Sequence, residues 1–441
     1  MRFSVFTASH NAEHLPRAWR SLQAQTLQNN WEWVVLPNGE KAGEVVDYLN
    51  SLHNSKISIL PVAESGSVGK LKNMVCAQTQ GDILVELDHD DELTPDCLEE
   101  LQRRSLSAKS DKYFLFSDCL TLDKNGDSVC WNQNYGWRYY RWQYHNGNET
   151  VEKLVNASFP VTPRSLAEIY YAPDHVRAWS REAYTAAGGH SPMLKLGDDH
   201  ELLIKTYLSQ AEFLAVNKPL YIHHLHDKST CRQPQNTDEI GRVSRSLCEH
   251  YLPALVREWC RRESLAMLDL GGEFNCPEGY LPVDINLSEN KKGFRLDALQ
   301  LDRIKEISSL RVGCVRAWDF LEHIPSNLVC RLMNTIYETL EPCGFLLSMT
   351  PAISDSNGIV GRGAFQDPTH VSFWSENNTW YFTNRNFSRY VPKITCRFQT
   401  VVCRTFYPSE WHHQHRIPYL LWYAMALPSD KNIYFPGVVA I

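Results

Sequence analysis

The sequence predicts an α/β protein of two domains, and three observations support this fold class. The chain has 441 residues, more than a typical single domain holds. Strand-like and helix-like segments alternate over the first 110 residues, and a second α/β pattern begins near residue 263. A long amphipathic segment separates the two patterns.

The first pattern predicts a parallel sheet with helices on its faces, because strands and helices alternate strictly. We expect strands at 3–8, 31–37, 56–62 and 82–87, and helices at 14–25, 44–53 and 67–80. Ligands of such sheets bind outside the carboxyl ends of the strands. Two polar turns fall there, namely NGE (38–40) and DHDD (88–91).

The second pattern contains ESLAMLDL (263–270), LPVDIN (281–286) and GFLLSMTP (344–351). Before it, residues 238–262 carry apolar side chains near every third or fourth position, which is typical of an amphipathic helix. We therefore expect a first domain at 1–235, a connecting helix at 236–262 and a second domain at 263–441.

The composition excludes several classes of protein. The net charge of −7 argues against tight, non-specific nucleic-acid binding, although a local basic groove stays open. Thirteen cysteines without a CxxC pair favour reduced thiols. The apolar start is too short for a signal peptide, and the apolar run 417–428 is too short for a membrane span. We expect a soluble, cytoplasmic protein.

The stretch LVELDHDDELTP (84–95) gathers four carboxylates directly after a predicted strand. Like charges so close repel one another unless something positive neutralises them. A hard divalent cation such as Mg²⁺ or Mn²⁺ prefers oxygen ligands, and substrate phosphates usually complete its shell. The alternative is a solvated turn in which Asp91 caps the helix that follows.

Five motifs occur in order along this part of the chain: SVFTASHN, QAQTL, VVLPNGE, SVGKLKN and GDILVELDHDDELTPDCL. Together they resemble the family 2 glycosyltransferases, and the resemblance spans residues 1–230. It implies a GT-A fold, which is a Rossmann-like nucleotide-sugar domain. It also implies a sugar transferred with inversion from a nucleotide-diphosphate donor to an acceptor hydroxyl, with Mn²⁺ or Mg²⁺ as the cofactor.

The resemblance assigns roles to individual residues. Asp88 would face the ribose or the sugar. Asp90 would bind the metal, with Asp88 as a further ligand. His226 would approach the metal or the diphosphate. A surface histidine cluster is the alternative for His226 and its neighbour His224. Asn38 stands where many members have Asp, so the base is not determined. The remaining donor-side positions are Thr7, Ala8, Ser9, Lys70, Lys72 and Asn73.

Further along, VRAWSREAYTAAGGH (176–190) and LGDDHELLIK (196–205) match the acceptor side of the same family. A carboxylate at the start of a helix there acts as general base and deprotonates the acceptor hydroxyl. The resemblance points to Asp199 for this role, with Asp198 second. The alternative is that both residues only cap the helix.

The stretch 131–148 interleaves seven aromatic residues with arginines. Aromatic rings stack on sugars or bases and guanidinium groups meet phosphates, so an acceptor platform is one interpretation. Core packing or a dimer contact is the other. The candidate acceptor residues are Trp137, Arg138, Tyr140 and Arg141.

The second domain resembles the class I methyltransferases in LDLGGEFNCPEGYLPVDIN (268–286), WDFLEHIP (318–325) and FQDPTHVSFW (365–374). The resemblance implies a Rossmann fold that binds S-adenosylmethionine through Asp269, Gly271, Asp284 and Asp297. Glu273 stands where the family has glycine, and its carboxylate would crowd or repel the cofactor. A retained fold used for acceptor binding or assembly is therefore the alternative.

Three functions follow. The leading one is a metal-dependent glycosyltransferase that acts on a surface glycan, or on hydroxymethylated pyrimidine of phage DNA. The second is S-adenosylmethionine-dependent methylation, with the first domain binding a glycan. The third is a sugar-binding scaffold without catalysis. Neither the donor sugar nor the acceptor can be read from the sequence.

Overall fold

The protein is described by a computed structural model that covers residues 1–131, 137–146, 149–169, 172–227 and 229–428. Part of the aromatic stretch, 132–136 and 147–148, lies outside the described residues, as does the end of the expected second domain, 429–441. The chain forms two compact units, Met1–Leu255 and one that begins at Val256. The three-part division expected from the sequence stays a prediction.

The first unit contains ten described strands and eight helices, the last of which continues into the second unit. The strands are β1 Phe3–Ser9, β2 Trp31–Pro37, β3 Ile57–Ile59, β4 Ile83–Glu86, β5 Glu92–Leu93, β6 Tyr113–Leu122, β7 Arg138–Asn146, β8 Glu149–Ala157, β9 Arg177–Ser180 and β10 Glu212–His224. The helices are α1 Leu15–Gln23, α2 Ala42–Ser51, α3 Val68–Gln78, α4 Cys97–Ser105, α5 Pro163–Glu168, α6 Arg181–Ala186, α7 Asp198–Leu208 and α8 Pro234–Arg262.

The sheet of the first unit has the order β3-β2-β1-β4-β9-β6-β10-β5, and the β7–β8 hairpin is attached to β6. Strands β3, β2, β1 and β4 are parallel to one another, as the alternating pattern predicts. Strand β9 then runs antiparallel between β4 and β6, which makes the sheet mixed. Because β1, β2 and β4 are adjacent and parallel, the polar turns that follow them meet at one edge.

The helices α1 and α2 turn their apolar sides to this sheet. The rings of Trp19 on α1 and Trp33 on β2 stack with centroids 5.8 Å apart. Leu22, Val45 and Leu49 join the same buried core. This packing holds the β1, β2 and β4 ends in register and thereby fixes the turns beyond them.

The second unit has a seven-stranded sheet of order β13-β12-β11-β14-β15-β17-β16. The first five strands are parallel, while β17 is antiparallel to both β15 and β16. The strands are β11 Ala266–Leu270, β12 Leu281–Asp284, β13 Phe294–Arg295, β14 Val312–Trp318, β15 Leu340–Pro351, β16 Phe398–Phe406 and β17 Tyr419–Ala426. The helices are α9 Ile304–Ser308, α10 Val329–Thr339, α11 Gly363–Gln366, α12 Glu376–Thr383, α13 Arg385–Ser388 and α14 Glu410–His415.

None of the helices in the described ranges combines the length and the apolar character that crossing a membrane requires. All twelve cysteines whose side chains the structure describes are free thiols, in agreement with the absence of a disulfide pattern in the sequence. Each unit has its own hydrophobic core.

Candidate functional site

A cleft in the first unit opens at the carboxyl ends of β1, β2 and β4. Eight of the residues expected from the sequence line it: Ala8, Asn38, Lys72, Asp88, Asp90, Asp198, Asp199 and His226. Ala8 and Asn38 lie at the ends of β1 and β2, and the acidic turn with Asp88 and Asp90 follows β4. The start of α3 supplies Lys72, and the start of α7 supplies Asp198 and Asp199. The cleft therefore joins motifs up to 218 positions apart in the chain.

Other expected donor-side residues lie just outside this lining. Thr7 is buried beneath the cleft and donates a hydrogen bond from Oγ1 to the Leu87 carbonyl, 2.7 Å away. Ser9 is also buried, and its hydroxyl faces the carbonyl of Asn11 at 3.3 Å. Both hydroxyls support the turns from below.

Lys70 and Asn73 of α3, which were also expected on the donor side, have partners outside the cleft lining. Lys70 is exposed, and its backbone N–H donates to the Ser67 hydroxyl that caps the helix. Asn73 donates from Nδ2 to the His190 carbonyl at 3.1 Å. A donor-binding role for Lys70 and Asn73 stays a prediction.

Asp88 is held by a buried lysine. Lys72 Nζ lies 2.9 Å from Asp88 Oδ1 and also contacts the carboxylate of Glu86, which is fully buried. Burial, the largest effect, would raise the pKa of Asp88, but Lys72 together with nearby histidines outweighs it and holds that pKa well below its usual range. For Lys72, burial works downward, yet the two carboxylates keep its pKa above the ordinary value. Lys72, Glu86 and Asp88 are therefore all ionised at neutral pH.

Asp90 faces a histidine from the far end of the unit. Its Oδ2 lies 2.8 Å from Nε2 of His226, and both side chains are partly exposed to the cleft. His226 therefore lies beside Asp90, and its expected role at the metal or the diphosphate stays a prediction. A carboxylate and an imidazole suit Mn²⁺, and the open cleft leaves room for waters and phosphates. The residues present fit a divalent cation at this point.

A second group of donors is less suited to a cation. Glu86, Asp88 and His175 place one donor atom each within 4.8 Å of the other two. However, the Lys72 ammonium already contacts both carboxylates, so positive charge is present there without a metal.

Asp91 has a structural role and does not cap a helix. It is buried and accepts hydrogen bonds from the Tyr221 hydroxyl at 2.9 Å and from the backbone N–H of His224 at 2.8 Å. Helix α4 begins only at Cys97. Burial, with Asp90 and Asp88 adding to it, raises the pKa of Asp91 well above the ordinary value. The capping interpretation of Asp91 is therefore wrong, and Asp91 ties the acidic turn to β10.

The two aspartates at the start of α7 have different partners. Asp199 Oδ2 lies 2.6 Å from Nη1 of the fully buried Arg177, and Asp198 Oδ2 lies 2.9 Å from Nδ1 of the buried His190. Gly197, with φ of +77°, holds the cap position, so neither carboxylate is the cap residue. Burial, the largest effect, works to raise the pKa of Asp199, but Arg177 together with Lys72 and His175 outweighs it and lowers that pKa well below the usual range.

Gly69 brings the starts of α3 and α7 together. A Cβ at this position would lie 2.4 Å from the Ser191 carbonyl oxygen and 2.6 Å from Cβ of Asp198. No side chain fits there without moving backbone, so glycine is required by the close approach.

Residues 4–119 match the sequence profile described as Glycosyl transferase family 2. The match covers less than half of the chain and lies within the first unit. It supports the expected glycosyltransferase class. The matched segment contains the acidic turn and Lys72, while Asp199 and His226 lie beyond it.

Among solved structures, the chain is similar to S. aureus TarS. The TarS 1-349 structure has a TM-score of 0.40 and 17% identity, over 59% of this chain and 72% of that one. TarS 1-349 in complex with UDP-GlcNAc gives 0.40 and 18%, over 60% and 73%. Longer TarS gives 0.39 and 18%, over 60% and 44%. Scores this low carry no argument about function. A search of curated proteins found no significant match.

The cleft also contains histidines to which the sequence analysis gave no role. The ring of His14 stacks on His226 at 5.3 Å and on His89 at 5.7 Å, and His10 lies 4.7 Å from His89. His89 belongs to the acidic turn, but His10 and His14 each stand alone in the sequence, so only the fold reveals the group. Arg177 was missed for the same reason.

The expected acceptor residues lie on or beside the β7–β8 hairpin. Trp137 is buried, with its ring 4.2 Å from that of Phe159, which favours the packing interpretation for this residue. Tyr140 donates from its hydroxyl to Asp118 Oδ2 at 2.8 Å. Arg138 and Arg141 are exposed, and Arg141 pairs with Glu152 at 3.0 Å. An acceptor role for the four stays a prediction.

The residues expected to bind S-adenosylmethionine lie in the second unit. Asp269 is buried and pairs with Arg316 at 2.6 Å, while Gly271 follows β11 with φ of +71°. Asp284 accepts from the Asn286 N–H at 2.8 Å, and Asp297 caps a 3₁₀ turn through the Leu299 N–H.

Glu273, which departs from the methyltransferase pattern, has partners of its own. Its carboxylate accepts from the Ser288 N–H at 3.1 Å and lies 3.4 Å from Lys291 Nζ. The match to the known family ends at residue 119 and shows nothing of a methyltransferase.

Because His223 is buried, we expect the stability of the first unit to depend on pH. Burial lowers its pKa from 6.5 to about 4, so the folded state keeps it neutral where the unfolded chain binds a proton. Stability is therefore complete above pH 6.5 and is lost as pH falls towards 4, by about 3 kcal/mol at about 1.4 kcal/mol per pKa unit.

Melting curves between pH 7 and 4 test this expectation. His223→Gln is expected to flatten the profile, whereas the exposed His53→Gln leaves it unchanged. Equal slopes for wild type and His223→Gln would contradict the assignment.

Proposed function

We propose that the chain transfers a sugar from a nucleoside-diphosphate donor to an acceptor hydroxyl, with inversion, in the cleft of the first unit. The observation that carries the proposal is the convergence of two groups of carboxylates. Asp88 and Asp90 come from the end of β4, and Asp199 comes from the start of α7. We assign this unit the GT-A fold and place the glycosyltransferase domain at 1–235.

The donor would lie across the ends of β1, β2 and β4. Ala8 and Asn38 offer a small side chain and an amide at the cleft wall, as a nucleoside requires. Asp88 would accept hydrogen bonds from the ribose or the sugar, because Lys72 fixes its orientation and keeps it ionised. The structure gives no preference for one base or sugar.

Asp90 and His226 would hold Mn²⁺ or Mg²⁺ beside the diphosphate. The ion, when bound, offsets the negative charge that develops on the departing diphosphate. Without a ligand, the two side chains satisfy each other at 2.8 Å, which keeps both aimed into the cleft.

Asp199 would accept the proton of the acceptor hydroxyl as its oxygen bonds to the anomeric carbon and the diphosphate oxygen leaves. Arg177 holds the carboxylate ionised and in one orientation, so the base is ready at neutral pH. A low pKa makes it a weak base, and positioning must supply much of the effect.

We place the acceptor on the side of α7 and the β7–β8 hairpin, with a glycan hydroxyl as the favoured acceptor. The exposed Arg138 and Arg141 suit an anionic glycan, and they would also suit the phosphates of modified DNA. The negative net charge favours the glycan.

Methylation from S-adenosylmethionine is a second candidate function, supported by the parallel order β13-β12-β11-β14-β15 and the positive φ of Gly271 after β11. The two candidates predict different ligands. A rise in melting temperature with S-adenosylmethionine alone would favour methylation, and a rise with a nucleotide sugar plus Mn²⁺ would favour glycosyl transfer.

Asp90→Ala tests the proposed function directly. We expect wild type to release nucleoside diphosphate from one donor of a nucleotide-sugar panel with Mn²⁺, and Asp90→Ala to lose at least about 100-fold of this activity. Asp111→Asn, an exposed change outside the cleft, is the matched control. Full activity in Asp90→Ala would remove the acidic turn from the mechanism.

A further inference from the structure

A carboxylate and two imidazoles converge in the second unit, beyond the carboxyl ends of β14 and β15. Glu322, His323 and His370 each place one donor atom within 4.8 Å of the other two. The group is separate from the cleft of the first unit and has no part in the proposed glycosyl transfer. Its position at the edge of a parallel sheet is where such sheets bind ligands.

The backbone builds this arrangement from two segments. After β14, the 3₁₀ turn Leu321–His323 buries the Glu322 side chain and leaves His323 exposed. The segment containing His370 is fastened to this turn, because the backbone N–H groups of Val371 and Ser372 both donate to the Glu322 carbonyl, at 2.8 and 3.0 Å. Backbone hydrogen bonds thus hold together the two segments that carry the three side chains.

Each imidazole has a backbone carbonyl oxygen beside its Nδ1. Nδ1 of His323 lies 3.3 Å from the Thr369 carbonyl oxygen, and Nδ1 of His370 lies 3.3 Å from that of Ala364. A carbonyl oxygen only accepts, so each Nδ1 carries the hydrogen. Nε2 of each ring then keeps a lone pair for a ligand.

The carboxylate has an oxygen that the protein does not satisfy. Glu322 Oε2 accepts from the Thr350 hydroxyl at 2.7 Å, but Oε1 is buried and has no hydrogen-bond partner among the described residues. Glu322 is 2% exposed, so water does not reach it freely. An orphaned buried carboxylate oxygen is costly and calls for a missing partner.

Two further carboxylates, Asp319 and Asp367, lie near the group. Asp319 acts on Glu322 electrostatically, and together with burial, the larger effect, it raises the pKa of that carboxyl. Asp367 lies 3.9 Å from Nε2 of His370. A bound cation would offset the negative charge of these carboxylates. Protonation of Glu322 is the alternative way to reduce that charge.

We propose that Glu322, His323 and His370 bind a divalent transition-metal ion, with Zn²⁺ or Mn²⁺ as the chemistry that fits. One carboxylate and two imidazoles are a common protein donor set for such ions. Because His323 is exposed, the remaining coordination positions face solvent and can take water or an oxygen ligand. The site is a second metal centre, independent of Asp90 and His226.

The test measures metal stoichiometry in the full chain by calorimetry, with Zn²⁺ and Mn²⁺ as probes after chelator treatment. The Asp90→Ala background removes the carboxylate of the first unit, and it is expected to retain one site. Adding His370→Ala or Glu322→Gln should weaken this site at least about 100-fold, since even outer-shell changes cost about 10- to 100-fold. Adding the exposed His413→Ala should change nothing.

Two results would overturn the proposal. One is an Asp90→Ala protein that binds neither ion, which would mean that Glu322 is protonated instead. The other is unchanged binding in both His370→Ala and Glu322→Gln. Glu322→Gln keeps the side-chain volume and an oxygen for the Thr350 hydrogen bond, so its melting temperature controls for loss of folding.

Discussion

Asp199→Asn is expected to lower sugar transfer by about 100- to 10,000-fold, the usual contribution of a general base, while donor binding changes little. The amide cannot accept a proton, but it retains the size of the side chain and an oxygen for Arg177. The measurement is a comparison of transfer to an acceptor with donor affinity, using the donor that wild type hydrolyses. The change should therefore appear in kcat far more than in KM for the donor.

Asp198→Asn is the matched variant, because it lies one residue earlier on the same helix and pairs with His190 instead of Arg177. It is expected to retain most of the activity. If Asp198→Asn is inactive and Asp199→Asn is not, the roles of the two aspartates must be exchanged. If both are active, α7 does not supply the base.

Lys72→Met is expected to destabilise the first unit by about 3 to 5 kcal/mol, because it leaves the buried Glu86 and its neighbour Asp88 without their cation. Hydrogen exchange of the peptides that contain β1 and β4 would measure the loss locally, without interference from the second unit. Exchange protection in these peptides should fall accordingly.

Two further variants identify the cause. Lys70→Met alters an exposed lysine on the same helix and is expected to stay within about 0.5 kcal/mol of wild type. The double variant Lys72→Met/Glu86→Gln should recover part of the loss, since one buried charge is then absent. No recovery would mean that the lysine acts through packing of its aliphatic chain instead.

The sequence predicted the parallel half of the first sheet well. The strands β1, β2 and β4 agree within one or two residues with the apolar runs, because burial on both faces makes parallel strands continuous apolar segments. The insertion of β9 between β4 and β6 was not predicted. A four-residue antiparallel strand has no period of its own, and its pairing is decided by tertiary contacts.

The site was predicted unevenly for a similar reason. Asp88 and Asp90 follow a strand directly, so their location at a sheet edge could be inferred locally. Arg177 and Glu86 could not, since each lies inside a strand whose sequence shows burial and not direction. The partners that set the ionisation of Asp88 and Asp199 are for this reason visible only in the fold.

The close approach at Gly69 has a consequence for engineering. Gly69 lies in α3, the helix that carries Lys72, and it packs against Asp198 at the start of α7 with no room for another atom. Under the proposed function, in which α3 serves the donor and α7 the acceptor, libraries that seek a new donor by reshaping α3 will also disturb acceptor recognition. Donor and acceptor preference should then change together, and separate tuning will require substitutions at the ends of β1 and β2.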